Sequence, residues 1–142
     1  MGDYSLRIIE QEIALLVRLT TAHSPKLGDL DRSEYLILSA LDNHSPLAIN
    51  ILAEELKLNL STASRQVASL ENKNYIYRFP DPQNGRISLV QITNEGRKIY
   101  ERVQKARYLA YAEMLNEWTP EELKVLETNL TRLNRDFKNW KK

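Results

Sequence analysis

Apolar residues return along much of this chain every three to four positions, the period of a helix with one buried face. Ile9, Ile13, Leu16 and Thr20 form such a line, and Ile8, Leu15 and Leu19 widen it, so a first helix is expected over residues 4–23. The Ser24-Pro25-Lys26-Leu27-Gly28 stretch breaks the pattern. Asp31-Arg32-Ser33-Glu34 has the form of a helix start, a carboxylate cap with a Glu three residues on, and Ile37, Leu38 and Leu41 follow on the buried side. A short helix is expected over residues 48–57. Asn59 then caps another over 60–73, whose buried stripe is Leu60, Ala63, Val67 and Leu70.

The period then shortens to that of extended chain. Tyr75-Ile76-Tyr77-Arg78-Phe79 and Ile87-Ser88-Leu89-Val90-Gln91-Ile92 are aromatic and β-branched, and between them lies Pro80-Asp81-Pro82-Gln83-Asn84-Gly85. This predicts a β-hairpin with Asn84-Gly85 as its tight turn and Arg86 immediately beyond it. Thr93 caps a long helix over 94–117, with Ile99, Val103, Ala106, Ala110 and Met114 on one face. Thr119-Pro120-Glu121-Glu122 starts the last helix with Thr as cap, Pro at the first position and Glu at the third. Leu123, Leu126, Leu130, Leu133, Phe137 and Trp140 then alternate at spacings of three and four, a coiled-coil-like seam.

Composition narrows the function classes. The 142 residues suit one domain with extensions, and only four Gly and five Pro fit a mostly helical chain. No apolar run is long enough to cross a bilayer and the N-terminus lacks a signal-peptide pattern, so a cytoplasmic protein is expected. The absence of cysteine removes disulfides and thiol chemistry, and His23 and His44 are the only imidazoles, so neither a metal nor a cofactor is expected. An enzyme would need a nucleophile, a base or a phosphate-binding glycine loop, and none is legible. Net charge is +1, but its distribution is uneven. Residues 1–56 carry four basic against nine acidic side chains, and residues 57–98 carry seven against three. A basic segment inside a near-neutral chain is a modest nucleic-acid footprint.

That segment contains the helix over 60–73, whose non-core face is Ser61, Thr62, Ser64, Arg65, Gln66, Ser69 and Lys73, with no carboxylate before Glu71. Such a face suits a DNA groove, where carboxylates repel phosphate. Three helices, a hairpin and a long helix in this order form a winged helix-turn-helix: mainly α, with a small β-hairpin wing. The third helix of that arrangement enters the major groove, and the hairpin reaches the flanking backbone or minor groove.

The chain from about Arg32 to Gly96 resembles the multiple-antibiotic-resistance regulator (MarR) family. The resemblance is carried by Leu52-Ala53-Glu54-Glu55-Leu56, Ser61-Thr62-Ala63-Ser64-Arg65, Leu70-Glu71-Asn72-Lys73-Asn74-Tyr75-Ile76, the wing Asp81-Pro82-Gln83-Asn84-Gly85-Arg86, and Ile92-Thr93-Asn94-Glu95-Gly96. It implies a homodimeric DNA-binding regulator, acting as a repressor on a pseudo-palindromic operator and released by a small aromatic or acidic compound. It places Ser61, Thr62, Ser64 and Arg65 on the DNA-reading surface and Arg86 at the wing tip. Three positions depart from the family pattern: Asn84 stands for the wing's usual Asp, Gly85 for a position often basic, and Asn74 for a Gly. Asn tolerates the left-handed conformation, so the turn after Lys73 is expected to survive.

The organisation expected is therefore an N-terminal dimerisation helix over 1–30, a DNA-binding lobe over 31–98 and C-terminal dimerisation helices over 99–142. Ile9, Ile13, Leu16, Leu123, Leu126, Leu130, Leu133 and Phe137 are the dimerisation candidates. Arg18, His23, Tyr35, Tyr108 and Tyr111 are the candidates for a ligand cleft between the dimer helices and the lobe. The rival class is a winged-helix module for protein–protein contact, which calls for an apolar or acidic third helix. The Ser/Thr/Arg face counts against it.

Overall fold

The computed structural model describes residues 2–24, 28 and 30–141. Six helices and three strands follow one another as α1 (Gly2–Ala22), α2 (Arg32–Asn43), β1 (Leu47–Ala48), α3 (Ile49–Leu56), α4 (Leu60–Asn72), β2 (Ile76–Asp81), β3 (Asn84–Ile92), α5 (Asn94–Met114) and α6 (Pro120–Asn139). Of the expected break after α1, Pro25, Lys26 and Leu27 lie outside the described residues.

The expected caps form. Asp31 Oδ1 accepts from the Glu34 backbone N–H at 2.8 Å, and Glu34 Oε1 accepts from the Asp31 N–H at 3.3 Å, closing a capping box. Asn59 accepts from Thr62 N–H at 2.8 Å to start α4, and Thr93 accepts from Gly96 N–H at 2.9 Å to start α5. Thr119 and Glu122 form a second capping box at α6. α5 stops at Met114, three residues short of expectation, because Leu115 leaves helical geometry and Trp118 N–H turns back to its carbonyl. Trp140 likewise falls outside the last helix, in extended geometry, so the seam ends at Phe137.

The sheet differs from a plain hairpin. β1, two residues long and too short to show a period, pairs Leu47 with Val90, giving the antiparallel order β1-β3-β2. The turn is also displaced. Asp81 pairs with Asn84, so Pro82 and Gln83 make the bend, while Asn84 and Gly85 belong to β3 without positive φ. The Asp81 carboxylate accepts from Gln83 N–H at 2.9 Å, and proline fixes φ at the first turn position. Together they outcompete the Asn-Gly signal. Between Pro80↔Ser88 and Asp81↔Asn84 the register slips, and residues 85–87 face no β2 partner.

The core gathers Ile37, Leu38 and Leu41 of α2, Leu52 of α3, Val67 and Leu70 of α4, Ile76, Val90 and Ile92 of the sheet, and Ile99, Tyr100 and Val103 of α5. It therefore crosses the expected boundary at residue 98 and takes in the first half of α5. Leu60, expected in the buried stripe of α4, is 55% exposed; as the helix's first residue it sits on the rim. By contrast, neither α1 nor α6 has a buried residue.

Candidate nucleic-acid interface

Ala63, Val67 and Leu70 anchor α4 in the core, at 1% exposure or less. Helical spacing sets Ser61, Arg65, Ala68 and Asn72 on the opposite side. Arg65 donates to Thr62 Oγ1 at 3.3 Å, and Ser61 donates to Asn59 Oδ1 at 2.9 Å, so both lie along the first turns with their outer surfaces exposed. Thr62, Ser64 and Gln66 are half-buried on either side of that line. Asn72 was not among the sequence candidates, although it lies seven residues, two turns, beyond Arg65.

Ion pairs tie down both flanks of the helix. On one, the Glu71 carboxylate accepts from Arg78 Nε at 3.0 Å and Nη2 at 2.8 Å, coupling the helix end to β2 and neutralising the helix's one carboxylate. On the other, Lys73 Nζ donates to Glu34 Oε2 at 2.8 Å and Ser69 Oγ to the same oxygen at 3.4 Å. The hydrogen bond to Glu34 holds the Lys73 ammonium above the ordinary lysine range, with partial burial opposing. Ser69 and Lys73, expected on the DNA-reading face, thus direct their polar ends toward α2, because their position on the wheel lies beside it.

The helix is joined to the wing through Asn74, which adopts φ 66°, the left-handed conformation expected in place of the usual Gly. Thr93 Oγ1 donates to the Asn74 carbonyl at 2.7 Å and stabilises that turn. Arg86 is exposed within the slipped segment, and its backbone N–H donates to Asn84 Oδ1 at 3.2 Å. The Asn84 amide therefore orders the backbone of Arg86.

A cleft of about 230 Å³ lies among α1, α2 and α5, lined by Thr20, Ser24, Arg32, Tyr35, Leu36, Arg107 and Tyr111. The Arg107 guanidinium sits 4.3 Å above the Tyr35 ring, and its buried Nε has no hydrogen-bond acceptor among the described residues. Burial raises the Tyr35 phenol above its ordinary pKa, with Tyr100 adding and Arg107 opposing. Of the expected ligand residues, Tyr35 and Tyr111 line this cleft. Arg18 and His23 are exposed outside the lining, and Tyr108 is 69% exposed. Arg107 is not among the sequence candidates; it and Tyr108 both lie about one helical turn before Tyr111, and spacing alone does not separate them.

The dimerisation candidates present apolar surface. Ile9 is 47%, Leu16 51%, Leu130 41% and Phe137 54% exposed, with Leu123 also open and Ile13, Leu126 and Leu133 half-buried. Leu6, Ile9 and Ile13 of α1 and Leu133 and Phe137 of α6 line one common groove. No described helix is long and apolar enough to cross a membrane, and no described cluster of three or more His, Asp or Glu is arranged to hold a metal ion.

Comparison with known proteins agrees with this geometry. Residues 30–88 match the model of the MarR family. The uncharacterized HTH-type transcriptional regulator YxaD of Bacillus subtilis (strain 168) is 39% identical over 135 residues, 93% of this chain and 94% of its own. The structure of a MarR family protein from Bacillus stearothermophilus superposes with a TM-score of 0.80 at 18% identity, over 98% of this chain and 99% of that one. The PcaV transcriptional regulator from Streptomyces coelicolor, in complex with its natural ligand, gives 0.71 at 25% identity, over 84% and 88% of the two chains. This chain belongs to the MarR family of DNA-binding transcriptional regulators.

Proposed function

We propose that the protein is a homodimeric repressor that sets one α4 from each protomer into successive major grooves of a pseudo-palindromic operator. The observation that carries this reading is the outer line of α4. Ser61 and Arg65 project from a helix whose only carboxylate is held by Arg78. An arginine there suits two-point contact with guanine, and the hydroxyls of Ser61, Thr62 and Ser64 and the Gln66 amide suit base edges or phosphates. Arg86 reaches the flanking backbone or minor groove from the wing. Occupying the operator blocks polymerase.

The exposed faces of α1 and α6 support the dimer. Apolar side chains this open, on two helices with no buried residue, gain most by covering each other in a symmetric pair. Release is assigned to a small aromatic acid in the α1–α2–α5 cleft. The guanidinium groups of Arg32 and Arg107 answer a carboxylate, and the Tyr35 and Tyr111 rings answer an aromatic face.

Selection from random-sequence duplexes at one fixed salt concentration tests the core of the reading. The expected result is an enriched inverted repeat with half-sites one helical turn apart. Recovery of no preferred sequence overturns it.

A further inference from the structure

We propose that Glu34 positions the recognition helix for DNA, fixing the rotation of α4 about its own axis by gripping Ser69 and Lys73. The inference rests on α4 being the DNA-reading helix. Glu34 is 3% exposed and is the one buried charged side chain among the described residues. Burying a carboxylate is costly unless it is paired and hydrogen-bonded. Helix capping does not require that cost here. Glu122 makes the same box at α6, accepting from Thr119 N–H at 2.8 Å, and stays exposed.

What distinguishes Glu34 is its second oxygen. Oε1 serves the cap, while Oε2 accepts from Ser69 in the last turn of α4 at 3.4 Å and from Lys73 at its C-cap at 2.8 Å, both more than thirty residues along the chain. The opposite flank of the same helix end is held by Arg78 on Glu71. Two such grips, one from α2 and one from β2, leave α4 little freedom to roll. Rolling would swing Ser61 and Arg65 sideways, and a contact to a base edge tolerates only about 10–20° of misorientation. Lys73 on this account is part of the mounting and does not serve as a phosphate ligand.

The test uses Glu34→Gln, Lys73→Met and their combination in the full chain. Gln at this position can still close the capping box, so α2 keeps its start. Binding to the selected operator is measured across salt concentrations, together with tolerance of a half-site spacer one base pair too long. Amide hydrogen exchange at residues 69–72 is followed without DNA.

Removing the negative charge of Glu34 would, by long-range electrostatics alone, strengthen DNA binding. Loss of a positioning contact does the opposite. Each single variant is expected to weaken binding about tenfold, with the double variant no worse than the weaker single. The salt slope stays unchanged, the longer spacer becomes tolerated, and exchange at the end of α4 accelerates. The proposal is overturned if Lys73→Met lowers the salt slope by about one unit while Glu34→Gln binds as well as or better than wild type. Additive losses in the double variant overturn it too. If the wild-type protein selects no DNA at all, the reading of α4 fails instead. Exchange then still decides the grip, since unchanged rates in Glu34→Gln refute it and faster rates support it.

Discussion

Replacing Gly96 with alanine should loosen the joint between the wing and α5. Gly96 lies in the first turn of α5, and a Cβ built there meets the Tyr75 carbonyl oxygen at 2.0 Å, with the Tyr75 carbonyl carbon and Ile92 Cγ1 at 2.9 Å. Ordinary contact begins at 3.4 Å, so backbone must retreat by about 1.4 Å. That carbonyl accepts from Thr93 N–H at 3.0 Å, and Tyr75 N–H in turn donates to the Leu70 carbonyl at the end of α4. Forcing extra volume into a packed joint costs roughly 1–3 kcal/mol. Losing the Thr93 bond adds about 1 kcal/mol, and the better helix propensity of alanine returns at most about 1 kcal/mol. The net expectation is a destabilisation of about 1–4 kcal/mol. Urea unfolding at one fixed protein concentration measures it. A Gly96→Ala midpoint equal to or above wild type refutes the reasoning.

Leu130→Asp puts a charge on the α6 seam where a partner helix should cover it, and sedimentation is expected to show monomer or unfolded protein, with operator affinity collapsing alongside. A folded dimer from that variant rules out the seam. Arg65→Ala is expected to cost roughly 1–3 kcal/mol of operator binding and to relax preference at one position per half-site; unchanged affinity and preference at fixed salt count against it. Arg86→Ala should weaken binding to all sequences alike and lower the salt slope by about one unit, while Asn84→Asp leaves affinity unchanged or improved. Wild-type slope and affinity in Arg86→Ala would make the hairpin a structural flap.

The helices were legible because each combines a period with a cap. Asp31 with Glu34, Asn59, Thr93, and Thr119 with Glu122 mark starts that the structure reproduces as hydrogen bonds. The hairpin was legible as an element but its bend was not. Asn84-Gly85 reads as the turn when taken alone, but Asp81 and Pro82 compete for it just upstream, and the pairing of β3 with both neighbours fits the earlier bend. β1 escaped because two residues have no period; its existence depends on Val90, over forty residues away. The site was less legible than the fold for a related reason. Which way Lys73 points depends on Glu34, and which residues share a cleft with Tyr35 depends on where α5 crosses α2. Neither follows from local spacing.

The basic segment over residues 57–98 shows how charge counting misleads even when it finds the right place. Of its seven cations, Lys73 is engaged by Glu34, Arg78 by Glu71 and Arg97 by Asp42, leaving Lys57, Arg65, Arg86 and Lys98 outside these ion pairs. An engaged cation has already lost its counterion to a carboxylate and releases little more when phosphate arrives. Each phosphate neutralised contributes about −0.9 to the slope of log affinity against log salt, so all the segment's cations in a dimer would give a slope near about −13. The four outside the pairs, doubled, set the limit of the segment's own share near about −7. With the segment supplying the phosphate contacts, operator binding measured from low to physiological salt is therefore expected to fall on the shallower side of about −7. A slope of about −10 or steeper would then mean that the ion pairs on the flanks of α4 open to meet DNA, and that the helix is not mounted as this structure shows.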